Sequence, residues 1–145
     1  MAFRFPLATV LRFRQSMERR EELALQRILV EIAQNVRKIE QLNARIAEAQ
    51  QTREETLRQP ISAFQLQSML SEVHIAAEQR RSLLVFLASL EQKRITQMAA
   101  YQAALQDRQT LSELEGKRRE EYKVERERTQ QKQVDDIFAA RAHRS

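Results

Sequence analysis

The sequence predicts an all-α protein in which two long helices fold back on each other as an antiparallel coiled-coil hairpin. Three observations carry this prediction: a composition rich in helix formers, two apolar seams with heptad spacing, and one proline between the seams. Of the 145 residues, 42% are hydrophobic and 31% charged, with one glycine and two prolines. Strands and tight turns need more glycine than this, so extended helix is favoured.

The first helix is expected to start near residue 6, because proline is tolerated in the first turn of a helix. Phe3 and Phe5 then lie ahead of the helix, where they either clasp the far end of the molecule or dock onto a partner. The first seam repeats every seven residues in two series. It consists of Leu25, Ile28, Ile32, Asn35, Ile39, Leu42, Ile46 and Ala49, broadened by Leu29, Val36 and Leu57.

Asn35 is the polar member of this seam. A polar residue at such a position commonly fixes the register of a coiled coil at some cost in stability.

The chain is expected to turn at Pro60, since the residue before a proline is pushed out of the α region. Ser62 and Gln65 form a capping-box pattern that opens the second helix. The predicted arms are residues 6–58 and 63–140, with a corner at 59–62, in a single elongated domain over residues 1–145. If residue i lies opposite residue 120 minus i, roughly, the seams of the two arms coincide.

The second helix carries the stronger seam, which has one charged member, Arg80. Leu70, Ala77 and Leu84 widen its stripe, as is typical of a helix that packs against more than one neighbour. The seam consists of Leu66, Met69, Val73, Ala76, Arg80, Leu83, Leu87 and Leu90.

Past Leu90 the seam weakens, and a slip is expected where it passes to Leu111 and Leu114. The run from Lys117 to Arg128 is almost wholly charged, which predicts a solvated single helix. A last apolar cluster lies around Phe138, and residues after Ala140 are expected to fray.

Composition argues against catalysis, cofactors and bound metal. The chain has no cysteine, two histidines and one glycine, so thiol chemistry, a glycine-rich phosphate loop and a clustered histidine site are not expected. The N-terminal apolar run is too short and too often interrupted by arginine for a signal peptide, and no window is apolar enough for a membrane span. The net charge of +5 is mixed along the chain, which suits an acidic partner surface and permits nucleic-acid binding without demanding it.

Two groups of residues at the chain ends form a recognisable pattern. The first is Phe3-x-Phe5-x-Leu7-x-x-Val10-Leu11-x-x-Arg14, followed by Glu21-Glu22. The second is Leu111-x-x-Leu114-x-x-x-Arg118-Arg119-x-x-Tyr122, followed by Gln131-Lys132 and Asp135-Asp136. With the length and the hairpin layout, these motifs resemble the FliJ family of flagellar export proteins. The related YscO-like stalk proteins of virulence injectisomes are the alternative, and a basic coiled coil that binds nucleic acid or a structural dimer are others.

The resemblance implies a non-enzymatic stalk similar to the γ stalk of rotary ATPases. Such a protein would stand in the central hole of a hexameric export ATPase, promote its assembly and activity, and couple it to the cytoplasmic domain of the export gate. It would also escort substrate chaperones, with no nucleic-acid partner. Its expected location is the cytoplasm, at the inner membrane, where its partners hold it peripherally.

The resemblance also implies where these partners bind. The residues expected at the ATPase end are Arg12, Arg14, Arg19, Arg20, Arg118, Arg119 and Arg126. The residues expected on the gate or chaperone face are Asn35, Ile39, Leu42, Ile46, Met69, Val73, Ala76 and Arg80. Proteins of the family often carry aromatic residues in this second region, whereas this chain does not, so packing within the hairpin also explains the second set.

Overall fold

The computed structural model describes residues 2–144, and over those residues it consists of two α-helices and no strand. Helix α1 spans Ala8–Thr56 and helix α2 spans Ala63–Arg144. The two helices pack against each other as a helical hairpin, which confirms the predicted all-α class. Their contacts group the described chain into two compact units: a terminal unit of residues 2–21 and 101–144, and a corner unit of residues 22–100.

Helix α1 begins at Ala8, two residues later than the sequence predicts. The Ala8 N–H donates to the Phe5 carbonyl oxygen at 3.1 Å, and the Leu11 N–H donates to the Leu7 carbonyl oxygen at 2.8 Å. Pro6 and Leu7 form a turn ahead of the helix. Pro6 has no N–H to donate, so it stands before the first hydrogen-bonded turn at no cost.

The corner is built by local hydrogen bonds. Helix α1 ends at Thr56, and the Gln59 N–H donates to the Thr56 carbonyl oxygen at 3.1 Å. The capping box that opens α2 is confirmed: the Ser62 N–H donates to Gln65 Oε1 and the Gln65 N–H donates to Ser62 Oγ, both at 3.2 Å. These bonds satisfy donors that the first turn of a helix cannot pair internally.

The corner unit holds most of the buried apolar side chains. Leu42, Ile46 and Ala76 form a buried cluster, and Val73 and Leu83 pack against it. This cluster agrees with the predicted register, in which residue i of the first arm lies opposite roughly residue 120 minus i of the second. Leu25 and Leu90 are also buried in this unit, and Leu90 is the most enclosed at 1% exposed.

Asn35 lies in this interface, 4% exposed, and its Nδ2 donates to the Leu83 carbonyl oxygen at 2.9 Å. Arg80 Nη1 donates to Asn43 Oδ1 at 3.1 Å across the same two helices. Both pairs fall close to the predicted register, and the Asn35 amide is satisfied in place although it is buried. The polar member of the seam therefore bonds directly to the partner helix.

The terminal unit has a thinner core, in which Leu11 is the one buried apolar side chain among the described residues. Tyr101, Ala104, Arg108 and Leu111 are half-buried on α2 and keep the alternating spacing of three and four. The slip predicted near Leu111 is therefore wrong. The seam continues with the same spacing because Arg108, which is not apolar, occupies the seam position between Ala104 and Leu111.

Helix α2 continues to Arg144, beyond the point where fraying was expected. Every side chain from Lys123 to Arg144 is exposed, including Phe138 at 70%. Pairs four residues apart support this segment, as where Gln131 Nε2 donates to Asp135 Oδ1 at 3.0 Å. Neither helix, over residues 2–144, has a stretch that is long and apolar enough to cross a membrane.

Candidate partner-binding surfaces

The residues expected on a gate or chaperone face all lie in the corner unit, but they point at the other helix. Four are buried: Asn35, Leu42, Ile46 and Ala76. The other four are half-buried: Ile39, Met69, Val73 and Arg80. Positions that repeat with heptad spacing face the partner helix of a hairpin, so their burial is the direct result of that spacing. The four buried side chains offer no surface to a partner while the two helices stay packed, and the gate or chaperone face stays a prediction.

The positions beside the seam are exposed instead. Leu70 and Leu84 on α2 are 46% and 48% exposed, and Ala77 between them is half-buried. On α1, Leu29 is 44% exposed and Val36 is half-buried, with the same spacing of seven. In an antiparallel pair these two series border the same edge of the interface. We call these five residues the flank stripe.

Arg80 lies next to the flank stripe and is half-buried. Its guanidinium donates to the neutral Asn43 amide oxygen, and among the described residues no carboxylate forms an ion pair with it. A half-buried cation is costly to desolvate unless an anion compensates it. The edge of the corner unit thus combines an apolar stripe with one positive charge that a partner carboxylate can pair.

The seven arginines expected at the ATPase end all lie in the terminal unit. Arg14 is half-buried, and its Nη1 lies 3.3 Å from Asp107 Oδ2. Arg119 Nη2 lies 3.4 Å from Glu115 Oε1. The other five are exposed: Arg12, Arg19, Arg20, Arg118 and Arg126. The unit therefore gathers the predicted cations, with Arg14 and Arg119 already engaged by carboxylates of the same unit.

The segment before α1 folds onto α2 inside the terminal unit. The ring centroid of Phe3 is 5.6 Å from that of Tyr122, with the rings tilted by 49°. The Arg119 guanidinium lies 5.3 Å from the centroid of the Phe3 ring, in the range of a cation–π contact. Of the two roles considered for Phe3, the structure shows the clasp within the chain.

Glu18 and Arg108 are both half-buried, and they form an ion pair that the sequence pattern did not predict. Arg108 Nε lies 2.6 Å from Glu18 Oε2 and its Nη2 lies 3.2 Å from Oε1, so the pair is bidentate. The hydrogen bond to Glu18 raises the pKa of Arg108 and outweighs the opposing effect of burial. Because that pKa is raised above its usual value, this contribution to the stability of the folded chain is present in the neutral range and is lost as the pH rises through the raised pKa, in strong base. The signal that could have predicted this ion pair is that Glu18 and Arg108 carry opposite charges at seam positions that face each other.

No group of three or more histidine, aspartate or glutamate side chains among residues 2–144 is arranged to hold a metal ion.

The family model described as the flagellar FliJ protein matches residues 3–145, which include both surfaces described above. Neither the curated proteins nor the solved structures gave a match.

Proposed function

The chain belongs to the FliJ family, as a component of the flagellar export apparatus, and we propose that it is the stalk that couples the export ATPase to the export gate. The family is a structural component of export and not a family of enzymes. The observation that carries the proposal is the family match over residues 3–145. The separation of the predicted cations from the flank stripe, in two different units, supports two distinct partners.

The terminal unit binds the hexameric export ATPase and promotes its assembly and activity. Its exposed arginines supply positive charge on both helices, at Arg12 and Arg20 on α1 and at Arg118 on α2. Charge complementarity with an acidic surface steers encounter and orientation more than it adds affinity. This suits a stalk that must enter a ring and still turn against it.

The corner unit binds the cytoplasmic domain of the export gate and the substrate chaperones. The flank stripe supplies the apolar contact, and Arg80 supplies a charge that orients a partner carboxylate. Apolar anchors with one specific polar contact are the usual pattern of an interface core. Binding to these partners places the protein in the cytoplasm at the inner membrane.

The ATPase contact is tested by charge reversal. The triple variant Arg12→Glu, Arg20→Glu and Arg118→Glu should bind the cognate ATPase about tenfold more weakly and stimulate hydrolysis less, since each exposed pair contributes up to about 1 kcal/mol. Arg27→Glu with Arg37→Glu is the control, because both arginines are exposed on α1 of the corner unit. Unchanged ATPase binding by the triple variant, with native helix content, would contradict the proposal.

The gate contact is tested by Leu84→Asp, which puts a charge on the flank stripe without touching the buried cluster. Affinity for the gate domain or a chaperone should fall by about tenfold or more, because the charge must be desolvated on binding. Val30→Asp is a matched control: Val30 is 55% exposed on the outer side of α1 and lies off the stripe. Equal losses in the two variants would show that the stripe is not the contact.

A further inference from the structure

A groove runs along one edge of the helix–helix interface in the corner unit, with a volume of about 460 Å³. We call it the basic groove, and it is lined by Lys38, Leu42 and Arg45 of α1 and by Gln79, Ser82 and Leu83 of α2. Leu42 and Leu83 belong to the packed core of this unit, so they give the groove an apolar floor. None of the described residues that line it is acidic, and its two charges are both positive.

Lys38 and Arg45 have no ion-pair partner among residues 2–144, and both side chains are exposed at the rim of the groove. They come four residues before and three residues after Leu42, which places both beside the seam on one side of α1. Such positions in a coiled coil commonly pair with an opposite charge on the facing helix. Gln79 and Ser82, which line the α2 side of the groove, are neutral and supply none.

The terminal unit shows the pairing that the basic groove lacks. Arg14 and Arg108 also reach across the interface, and each contacts a carboxylate of the other helix. The opening next to the basic groove, toward the corner, is lined by Glu48 and Glu72 as well as Arg45, so the groove ends where acidic residues begin. A cation beside apolar surface is attracted to an anion more strongly than a cation in open water is. The two unpaired cations therefore favour an acidic partner.

We propose that the basic groove binds an acidic amphipathic helix of a partner protein, which packs alongside α1 and α2 as a third helix. Lys38 and Arg45 are seven residues apart, which is about 10 Å along the axis of α1. Carboxylates seven residues apart on a partner helix repeat at the same distance, so they meet both cations. The apolar residues of that helix then cover the floor at Leu42 and Leu83, as an amphipathic helix does in an apolar groove.

The combination of charge and apolar floor selects this occupant. A nucleic-acid backbone would match the two cations but leave the floor uncovered, because its contacts to protein are mainly polar. A second copy that used the same groove would bring its own Lys38 and Arg45 against these, and like charges oppose association. Phe86, which is 47% exposed, lies seven residues after Gln79 on the same side of α2 and gives the helix a further apolar contact.

The basic groove is separate from the surfaces of the proposed function. Val36 and Asn43 come one residue after seam positions of α1, so they flank the seam on the side away from Lys38 and Arg45. The groove therefore follows the edge of the interface opposite to the flank stripe. It shares no residue with that stripe or with the seven arginines of the terminal unit.

A synthetic three-heptad peptide tests the proposal, with leucines on one side of the helix and glutamates beside them at a spacing of seven. The full chain should bind it about tenfold more tightly than a matched peptide with lysine in place of glutamate, as measured by fluorescence anisotropy. Lys38→Glu with Arg45→Glu should reverse this preference. Arg27→Glu with Arg37→Glu changes the net charge equally outside the groove and should preserve it. A preference that survives Lys38→Glu with Arg45→Glu would overturn the proposal.

Gln79→Glu tests the groove without removing a cation. The new carboxylate lies across the groove from Lys38 and Arg45, so it should compete with the acidic peptide, weaken its binding about threefold and raise the midpoint of urea unfolding. Gln92→Glu, at an exposed position of α2 outside the groove, should leave the peptide affinity unchanged. Equal affinities for the acidic peptide in Gln79→Glu and the unaltered chain would contradict the proposal.

Two further outcomes would replace the proposed occupant by another. A solution mass that rises with concentration, and stays at 17.1 kDa in Lys38→Glu with Arg45→Glu, would identify a second copy as the occupant. Binding of duplex DNA at low salt that the same variant abolishes would identify nucleic acid. Either result would overturn the proposal. None of these measurements uses the ATPase or the gate domain, so they do not depend on the proposed function.

Discussion

Leu90 is the most enclosed side chain of the hairpin, at 1% exposed, while Leu84, six residues earlier, is 48% exposed. Leu90→Ala should lower the free energy of unfolding by about 2–5 kcal/mol, toward the lower end because a two-helix interface can partly close over a cavity. Leu84→Ala should change it by no more than about 0.5 kcal/mol. Urea unfolding followed by circular dichroism measures both variants. If Leu90→Ala and Leu84→Ala lowered the free energy of unfolding equally, the helix–helix interface would not be centred on Leu90.

Two polar residues show how far heptad spacing alone can be trusted. Asn35 was recognisable because seven apolar neighbours define its seam, and it bonds to the Leu83 carbonyl oxygen as a seam residue should. Arg108 was missed because the apolar pattern around it is weak, so the spacing gave no reason to place a cation there. Its partner Glu18 lies 90 positions away in the sequence, and only the packed helices bring the two together. A charged residue in a seam is therefore best predicted together with an oppositely charged residue at the facing position of the other helix.

At the scale of the helix, the start of α2 depends on the reciprocal bonds between Ser62 and Gln65. Ser62→Ala removes the hydroxyl that accepts the Gln65 N–H, and it should lower the free energy of unfolding by about 1 kcal/mol. Ser68→Ala is the matched control, because Ser68 is exposed inside the same helix, where alanine is the better helix former. Thermal and urea unfolding measure both variants. If Ser68→Ala lowered the free energy of unfolding as much as Ser62→Ala does, the loss of the capping hydrogen bond would not explain the effect.

The C-terminal part of α2 is held by its own backbone and side-chain pairs. From Lys123 onward all side chains are exposed, and the seam ends at Tyr122. A long helix without tertiary packing is only marginally stable in water. The apolar residues Val134, Ile137 and Phe138 are accordingly exposed along this segment.

At the scale of the whole molecule, burial is unequal between the two units. The corner unit contains Leu25, Asn35, Leu42, Ile46, Ala76 and Leu90 as buried side chains, and the terminal unit contains Leu11. Since buried apolar area is the main stabilising contribution, the terminal unit should unfold first. Both tyrosines of the chain, Tyr101 and Tyr122, lie in the terminal unit. Tyrosine fluorescence should therefore report a urea midpoint roughly 1 M lower than circular dichroism does.

Coincident curves from the two probes would contradict this prediction and would show that the whole chain unfolds as one cooperative unit. That outcome would favour the single domain that the sequence predicts over residues 1–145, which stays a prediction.

The sequence by itself determined the helices, the corner, the cap and the register of the corner unit. These features follow from patterns within each segment of the sequence. The patterns are the heptad spacing of the two seams, Pro60 at the corner, and the capping box of Ser62 and Gln65. The tertiary structure decided how much of each apolar stripe is covered. Ala76 and Leu84 are both apolar residues of α2, yet Ala76 is buried and Leu84 is exposed, because α1 covers only the seam. The same packing buried four of the eight residues of the expected binding face and left most of the flank stripe exposed.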